Sequence, residues 1–225
     1  MRLYYLTDAE TAATILKERR LRMSQFSMAN DPFELWRIDT RIRDTHEYAQ
    51  LIYDHFDNNI GFICFGAAWK SPVMWAHYAN RHKGVGLGFD VMDKLVSKID
   101  YTDRMLEPTF GAHLPRHGLT IELLNEVRLT KAMEWAYENE YRVEGERKIK
   151  DPANGFYYTD FGPQLQLREV ILGLRCTWTE ADVRGHVGEV NQTVRICKAG
   201  PAFGRFEMVE QEHAKPFTIE PKTPS

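Results

Sequence analysis

The apolar residues of this chain lie in short runs, and that feature restricts which structures it can form. One of the longest runs, Ile60–Ala68, is far shorter than the roughly 18 residues that a transmembrane helix requires. Acidic residues follow closely on the N-terminal segment MRLYYL, a pattern that does not fit a secretory signal peptide. The cysteines Cys64, Cys176 and Cys197 are odd in number and far apart, so we expect no disulfide framework. These features predict a cytoplasmic protein with no membrane association.

Length and composition indicate an ordinary globular protein. At roughly 150 residues per domain, the 225 residues suggest one large domain or a domain plus a lobe. The contents of 43% hydrophobic and 27% charged residues exclude a disordered chain, a fibre and a coiled coil. We predict a single domain over residues 1–225, in which the proline-rich segment Pro216–Ser225 is a frayed tail. The net charge of −3 gives no support for nucleic-acid binding, since the basic stretches Lys17–Arg22 and Arg37–Arg43 are interrupted by acidic or apolar residues.

Local patterns place most helices in the first two-thirds of the chain and concentrate strands in the last third. Helices are predicted from Thr7, which has capping-box spacing to Glu10, and over Thr40–Phe56, Ser71–Tyr78, Leu119–Trp135 and Thr179–His186. Strands are predicted at Leu3–Leu6, Gly61–Ala67, Gly84–Asp90, Glu140–Glu146, Arg168–Leu174, Val194–Lys198 and Phe206–Glu210. This order indicates the α+β class, with a split or bent mixed sheet that includes Leu3–Leu6.

The sequence lacks the residue patterns expected of a metal site, a dinucleotide-binding turn and a GxSxG hydrolase. His113 and His117 have the spacing of two metal ligands on a helix, but Pro115 and Gly118 interrupt that helix, so no metal is expected. The glycines of GVGLGFD lie within a predicted strand, which does not fit a dinucleotide-binding turn, and no GxSxG elbow is present.

Three clusters of polar and aromatic residues remain as candidates for a site. The first is Asn30–Glu34 (NDPFE), which either binds a ligand or forms a turn and a helix start. In the second, Trp75 and Tyr78 share a helix face, close to His77, His82 and Lys83; two aromatic residues at this spacing also fit an ordinary core.

The third cluster lies at the start of a predicted strand. Glu138, Glu140 and Arg142 have period-2 spacing and should share one face. They form either a salt-bridged strand face or a pair of carboxylates with separate roles. If the three clusters make one site, we expect them to converge on one cleft.

In chain order, six segments resemble a bacterial family of uncharacterised domains related to abortive-infection (phage-resistance) proteins. They are Leu3–Thr7 (LYYLT), Asn30–Glu34 (NDPFE), Met74–Ala79 (MWAHYA), His82–Asp90 (HKGVGLGFD), Trp135–Val143 (WAYENEYRV) and Glu169–Gly173 (EVILG). This resemblance implies a family and a context of antiviral defence, but no defined activity.

The opening segment YYLTDAETAATILKERRL is also similar to the start of ADP-ribosyltransferase-type domains, including DNA-modifying toxins and RNA phosphotransferases. The resemblance implies an ADP-ribosyltransferase-like fold with NAD as a substrate. Tyr5 would bind the adenosine ribose, where histidine is common in such domains, and Tyr78 or Trp75 would stack on nicotinamide. Glu140 would act on the nicotinamide ribose, with Glu138 in support.

The same resemblance implies roles for the remaining candidates. Lys83 or Arg142 would neutralise the pyrophosphate. The residues of the loop over the cleft would be Asn30, Asp31, Glu34, His77 and His82.

The leading hypothesis is an NAD-consuming ADP-ribosyltransferase-like enzyme of phage defence or a toxin system. It would transfer ADP-ribose to a protein or nucleic-acid acceptor, under the control of a regulatory partner protein. Two alternatives stay open. One is a non-catalytic module that senses a ligand or partner on the same scaffold. The other is a nuclease or phosphotransferase that acts on nucleic acid.

Overall fold

The structure is a computed structural model that describes residues 1–39, 41, 43–106 and 120–221. Within these ranges there are five α-helices: α1 (Ala9–Glu18), α2 (Arg43–Asn59), α3 (Pro72–Tyr78), α4 (Ile121–Arg128) and α5 (Glu180–Val187). Three short 3-10 helices lie at Phe26–Met28, Asp93–Leu95 and Met133–Glu138. None of the described helices is both long enough and apolar enough to cross a membrane.

Thirteen strands are present in the same ranges. They are β1 (Arg2–Thr7), β2 (Arg20–Met23), β3 (Ile60–Gly66), β4 (Val85–Val91), β5 (Val96–Lys98), β6 (Asp100–Thr102), β7 (Thr130–Ala132), β8 (Glu140–Glu146), β9 (Tyr157–Asp160), β10 (Leu165–Leu172), β11 (Val194–Pro201), β12 (Met208–Glu210) and β13 (Phe217–Ile219).

Nine of the strands form one mixed sheet. Its order is β12-β11-β10-β4-β1-β3-β8-β5, and β13 also pairs with β11. The β10–β11 pair is parallel and the other pairs of this sheet are antiparallel. Two separate two-stranded sheets join β2 to β9 and β6 to β7. The fold is therefore α+β with a mixed sheet, as the sequence predicted.

The sheet is buried on both faces. On one face, Leu3, Leu87 and Val170 pack with residues of α1 and α5 such as Leu16 and Val183. The opposite face is covered by α3 and α2, which form two further apolar clusters. The period-2 alternation of strand side chains explains this arrangement, because neighbouring residues of β1 contribute to different clusters.

Capping residues fix the two helices that border β1 and the candidate site. The Asp8 side chain accepts a hydrogen bond from the Thr11 N–H at 2.9 Å, so Asp8 caps α1, whereas the predicted cap Thr7 is the last residue of β1. Asp8 already meets the requirement for an N-cap acceptor. Ser71 caps α3 and Pro72 occupies its first turn, as the sequence predicted.

The structure corrects three predictions from local pattern. The helix predicted over Leu119–Trp135 ends at Arg128, because the following residues pair as β7 with β6. Part of the predicted frayed tail forms β13, which pairs with β11. Strands are not concentrated in the last third, since β1, β3 and β4 occupy the centre of the main sheet. His113 and His117 lie outside the described residues.

Candidate functional site

A cavity of about 230 Å³ lies where β1 and β3 meet the loop that follows β2. The structure brings members of all three sequence clusters to this cavity, together with the N-terminal strand. The candidate residues that line it are Tyr5, Asn30, Glu34, Tyr78, Glu138 and Glu140. Residues far apart in the sequence therefore surround one space.

The strand entrance at residues 138–140 places two carboxylates in the cavity wall. Glu138 ends a 3-10 helix, and Asn139 then adopts a left-handed backbone conformation with φ of 42° before β8 begins at Glu140. Asparagine is among the residues that tolerate this conformation best. The turn leaves both glutamate side chains almost fully buried.

One lysine joins the two carboxylates. The Lys131 Nζ lies 2.9 Å from Glu138 Oε2 and 2.5 Å from Glu140 Oε2, and it also lines the cavity. Lys131 comes from β7, the strand that replaces the end of the predicted helix. Because the ammonium is nearly buried, its charge is neutralised by the two glutamates rather than by water.

The fully buried Arg142 forms ion pairs with two glutamates of the cavity lining. The Arg142 Nη1 lies 3.0 Å from Glu34 Oε1, and the Arg142 Nε donates to Glu140 Oε1 at 3.0 Å. Arg142 also donates to the carbonyl oxygen of Arg128 at 3.0 Å. Its guanidinium carbon lies 4.6 Å from the centre of the Phe62 ring. Arg142 thus ties the loop that carries Glu34 to the strand that carries Glu140.

Tyr78 connects helix α3 to the acidic wall. Its hydroxyl donates a short hydrogen bond to Glu138 Oε1 and accepts one from the Asn30 Nδ2 at 3.2 Å. The predicted loop residue His77 does not line the cavity: its Nδ1 lies 3.1 Å from the Tyr137 hydroxyl at an exposed position. The loop, the helix and the strand entrance are therefore linked by side-chain hydrogen bonds across the cavity.

The environment moves the two glutamate pKa values in opposite directions. Burial raises the pKa of Glu138, and the Lys131 charge together with the Tyr78 hydrogen bond offsets only part of that rise. Burial would also raise the pKa of Glu140, but the charges of Arg142 and Lys131 outweigh it and lower the pKa to about 2. One carboxylate is thus held ionised while its neighbour holds a proton more readily.

Cys64, from β3, also lines the cavity. Burial raises the pKa of this thiol well above its ordinary value, and the negative charge of Glu140 adds to the effect. Cys64 is therefore a neutral thiol beside Glu140. Within the described residues, no group of three or more histidine, cysteine, aspartate or glutamate side chains is placed to hold a metal ion.

Comparison with known proteins gives one match, which covers part of this site. A DUF2971 domain, of unknown function, is found at residues 74–143. No curated protein and no solved structure matches the chain. The family description mentions neither abortive infection nor ADP-ribosyltransferases, so both resemblances remain hypotheses.

The DUF2971 segment contributes Tyr78, Lys131, Glu138, Glu140 and Arg142 to the site. The rest of the lining comes from outside it, including Tyr5 and the loop with Asn30 and Glu34. The cavity is therefore not a property of the DUF2971 segment alone.

Trp75, which also lies in the DUF2971 segment, does not line the cavity, so the prediction that it stacks on nicotinamide is wrong. Its side chain is fully buried and packs against Gly86. The indole N–H donates to the Trp69 carbonyl oxygen at 2.6 Å, so its polar atom is already satisfied. Trp75 is a core residue, and of the two predicted aromatics only Tyr78 lines the cavity.

Neither cation predicted for the pyrophosphate lines the cavity. Arg142 is fully buried, and its ion pairs with Glu34 and Glu140 leave it unable to reach a ligand. Lys83 is exposed in the turn between α3 and β4. His82 lies in the same turn, where its carbonyl oxygen accepts from the Arg175 N–H, so it does not line the cavity either.

Asp31 shapes the loop but does not face the cavity. Its carboxylate lies 2.6 Å from the Arg37 Nη2 and accepts from the Phe33 N–H at 2.9 Å. The pair is buried, so Asp31 serves as the turn and ion-pair residue that was the alternative interpretation of NDPFE.

The lining residues that the sequence interpretation missed include Arg22, Cys64 and Lys131. Lys131 was placed within a predicted helix, and Arg22 within the basic stretch Lys17–Arg22, which was considered only with respect to nucleic-acid binding. The alternation RLRM of β2, with Leu21 and Met23 buried and Arg22 between them, could have identified a strand.

The low pKa of Glu140 predicts how stability depends on pH. In the unfolded chain this carboxyl has its ordinary pKa of 4.5, and in the folded chain about 2. Its contribution to stability is therefore present above pH 4.5 and is lost as the pH falls from 4.5 towards 2. We expect the free energy of unfolding in urea to decrease over this range. A carboxyl NMR titration of Glu140 with a midpoint near 4.5 would contradict the assignment.

Proposed function

We propose that this chain is an NAD-consuming enzyme of ADP-ribosyltransferase type, which breaks the bond between nicotinamide and ribose and transfers ADP-ribose to an acceptor. The observation that supports this most is the pair of buried carboxylates, Glu138 and Glu140, which line one cavity, share Lys131 and have pKa values moved apart. Two carboxylates in different environments are suited to different roles in glycosidic chemistry.

Glu140 supplies the negative charge in this proposal. As the nicotinamide–ribose bond breaks, its electron pair moves to the ring nitrogen, nicotinamide leaves neutral, and positive charge develops on the ribose. A carboxylate that stays ionised stabilises that charge where it develops. The ion pairs of Glu140 with Arg142 and Lys131 keep it ionised and hold it in position.

Glu138 is the proton acceptor. The nucleophilic group of the acceptor loses a proton as it bonds to the ribose carbon, and a carboxylate with a raised pKa takes up that proton more readily. The Tyr78 hydroxyl fixes the orientation of Glu138, and the Asn30 amide fixes the hydroxyl. These groups form a chain of hydrogen bonds from the loop to the reacting centre.

The size of the cavity limits how much of NAD it can take. At about 230 Å³ it is smaller than the roughly 300–1,000 Å³ usual for drug-sized ligands. In our proposal the nicotinamide and its ribose enter it, with the Tyr5 and Tyr78 rings among its walls. Tyr5 would then contact the nicotinamide end of NAD and not the adenosine ribose, the role that the resemblance implies. The rest of the dinucleotide lies outside, towards β2.

The broader setting is part of the same proposal. We assign the mixed sheet to the split or bent sheet of ADP-ribosyltransferase-like folds, and the protein to the cytoplasm. A role in phage defence or a toxin system, and control by a partner protein, rest on the resemblance of the sequence segments alone.

NAD should stabilise the folded chain. A ligand that binds only the folded state raises stability by roughly 2.7 kcal/mol at one hundred times its Kd. We therefore expect the melting temperature to rise with millimolar NAD, and the purified protein to release nicotinamide. Nicotinamide itself is the control for non-specific effects. The absence of both shift and release would contradict the proposal.

One observation favours a second candidate, a module that binds a ligand without turnover. All four oxygens of Glu138 and Glu140 already have a cation or hydroxyl partner in Tyr78, Lys131 and Arg142. Such a closed network can hold a rigid binding surface without taking part in chemistry. A melting-temperature rise with NAD but no release of nicotinamide would identify this candidate.

A further inference from the structure

Two arginines on β2 differ in a way that points to the ligand. Both stack on aromatic rings of β9 or its approach: the Arg20 guanidinium carbon lies 3.8 Å from the Tyr158 ring centre, and that of Arg22 lies 3.6 Å from the Phe156 ring centre. They belong to one strand and make the same kind of ring contact.

The two arginines differ in whether a carboxylate neutralises their charge. The Arg20 Nε lies 2.8 Å from Glu18, and its Nη1 lies 2.5 Å from Asp151, so its charge is neutralised. Arg22 has no carboxylate within ion-pair distance in the part of the chain that the structure describes. Its side chain donates instead to the Met28 sulfur at 3.4 Å, a weak and neutral acceptor. Among the described residues, no carboxylate is thus paired with the Arg22 guanidinium.

Arg22 is also the arginine that lines the cavity. Burial raises the pKa of Tyr5 to about 12, and the positive charge of Arg22 acts against that rise, which is consistent with Arg22 lying near the Tyr5 hydroxyl. The lining also carries Glu138 and Glu140, at the entrance of β8. The cavity is therefore lined by an arginine of β2 as well as by the two carboxylates beside Lys131.

We infer that Arg22 recognises a phosphate or pyrophosphate group of the ligand, whose nicotinamide end extends towards Glu138 and Glu140. A guanidinium whose flat face is covered by a ring keeps the N–H groups along its edge free, and these match phosphate oxygens in a two-point contact. The inference deepens the proposed function, because the ligand class becomes a nucleotide and not a nucleoside.

The test compares matched variants in titration calorimetry with ADP-ribose and with inorganic pyrophosphate. Arg22→Gln removes a charge-assisted contact, so ADP-ribose binding should weaken by about tenfold to a hundredfold. Arg20→Gln removes the same charge and the same kind of stacking from the same strand, and it should leave binding unchanged. Arg22→Lys should restore only part of the affinity, because lysine lacks the planar two-point geometry.

Three outcomes would overturn the inference. They are no binding of either probe by the wild type, equal weakening by Arg20→Gln and Arg22→Gln, or equal affinity of the wild type and Arg22→Gln. Melting temperatures of all variants, measured in parallel, separate a loss of binding from a loss of folded protein.

Failure of this inference can be told apart from failure of the proposed function. If ADP-ribose binding depends on Arg22 but the wild type releases no nicotinamide, the inference stands and the NAD-cleaving activity is wrong. If the wild type releases nicotinamide and Arg22→Gln leaves the KM for NAD unchanged, the activity stands and the role of Arg22 is wrong.

Discussion

Replacement of Arg142 by methionine is expected to lower the free energy of unfolding by about 3–5 kcal/mol, because it leaves the buried Glu34 carboxylate without its cation and Glu140 with Lys131 alone. Arg142 is fully buried between Glu34 and Glu140, and methionine retains an unbranched side chain but no charge. Urea denaturation at neutral pH, followed by circular dichroism, measures the change.

The control for Arg142→Met is Arg168→Met on the same sheet. Arg168 pairs with Asp90 at 2.8 Å, but both side chains are about one-third exposed. Exposed pairs contribute only about 0–1 kcal/mol, so this variant should be close to the wild type. Equal effects of the two substitutions would mean that the buried network is not what stabilises this region.

Glu140→Gln is expected to reduce nicotinamide release by about 10²–10³-fold, the cost of losing one preorganised electrostatic contact. Glutamine preserves the shape of the side chain but removes the charge that opposes the developing positive charge on the ribose. The measurement is the rate of nicotinamide release by purified wild type and variant at saturating NAD.

Stability must be measured alongside, since Glu140→Gln also leaves Lys131 and Arg142 short of a partner. We expect a lower melting temperature, and the assay temperature should be set well below it. Glu138→Gln is the comparison, and it should change the pH dependence of the rate through loss of the proton acceptor. Near-normal turnover by folded Glu140→Gln would show that Glu140 is not the catalytic carboxylate.

Much of the fold could be predicted from local pattern. The strand at β1, the capped helix α3 and the buried strands β3 and β4 follow from short apolar runs, a serine–proline start and glycine-bounded segments. The order of strands in the sheet could not be predicted, because β1 pairs with β4 and β3 through contacts between residues far apart in the sequence. Local propensity contains no information about such pairings.

The candidate site could be predicted in part for the same reason. Glu138, Glu140 and Tyr78 stand out as residue types suited to a site, and they do line one cavity. The other candidates could be judged only once the burial of their side chains was known. Trp75 and Arg142 have suitable side chains, but both lie beneath the surface. Lys131 could not be recognised, because its position depends on the pairing of β7 with β6, which overrides the helical pattern of its sequence.

The central position of β1 has a consequence for synthesis of the chain. Among the described strands β1 is made first, yet β4, the strand with which all six of its residues pair, ends at Val91. At roughly 5–20 residues per second, the ribosome needs several seconds to produce that partner. Until β3 is complete at Gly66 the apolar segment LYYL has neither neighbour, and until β4 is complete it lacks its main partner, so it is open to chaperones or to other nascent chains. Slowing translation before Val91 would prolong that exposure, whereas slowing it afterwards would give β1 and β4 time to pair.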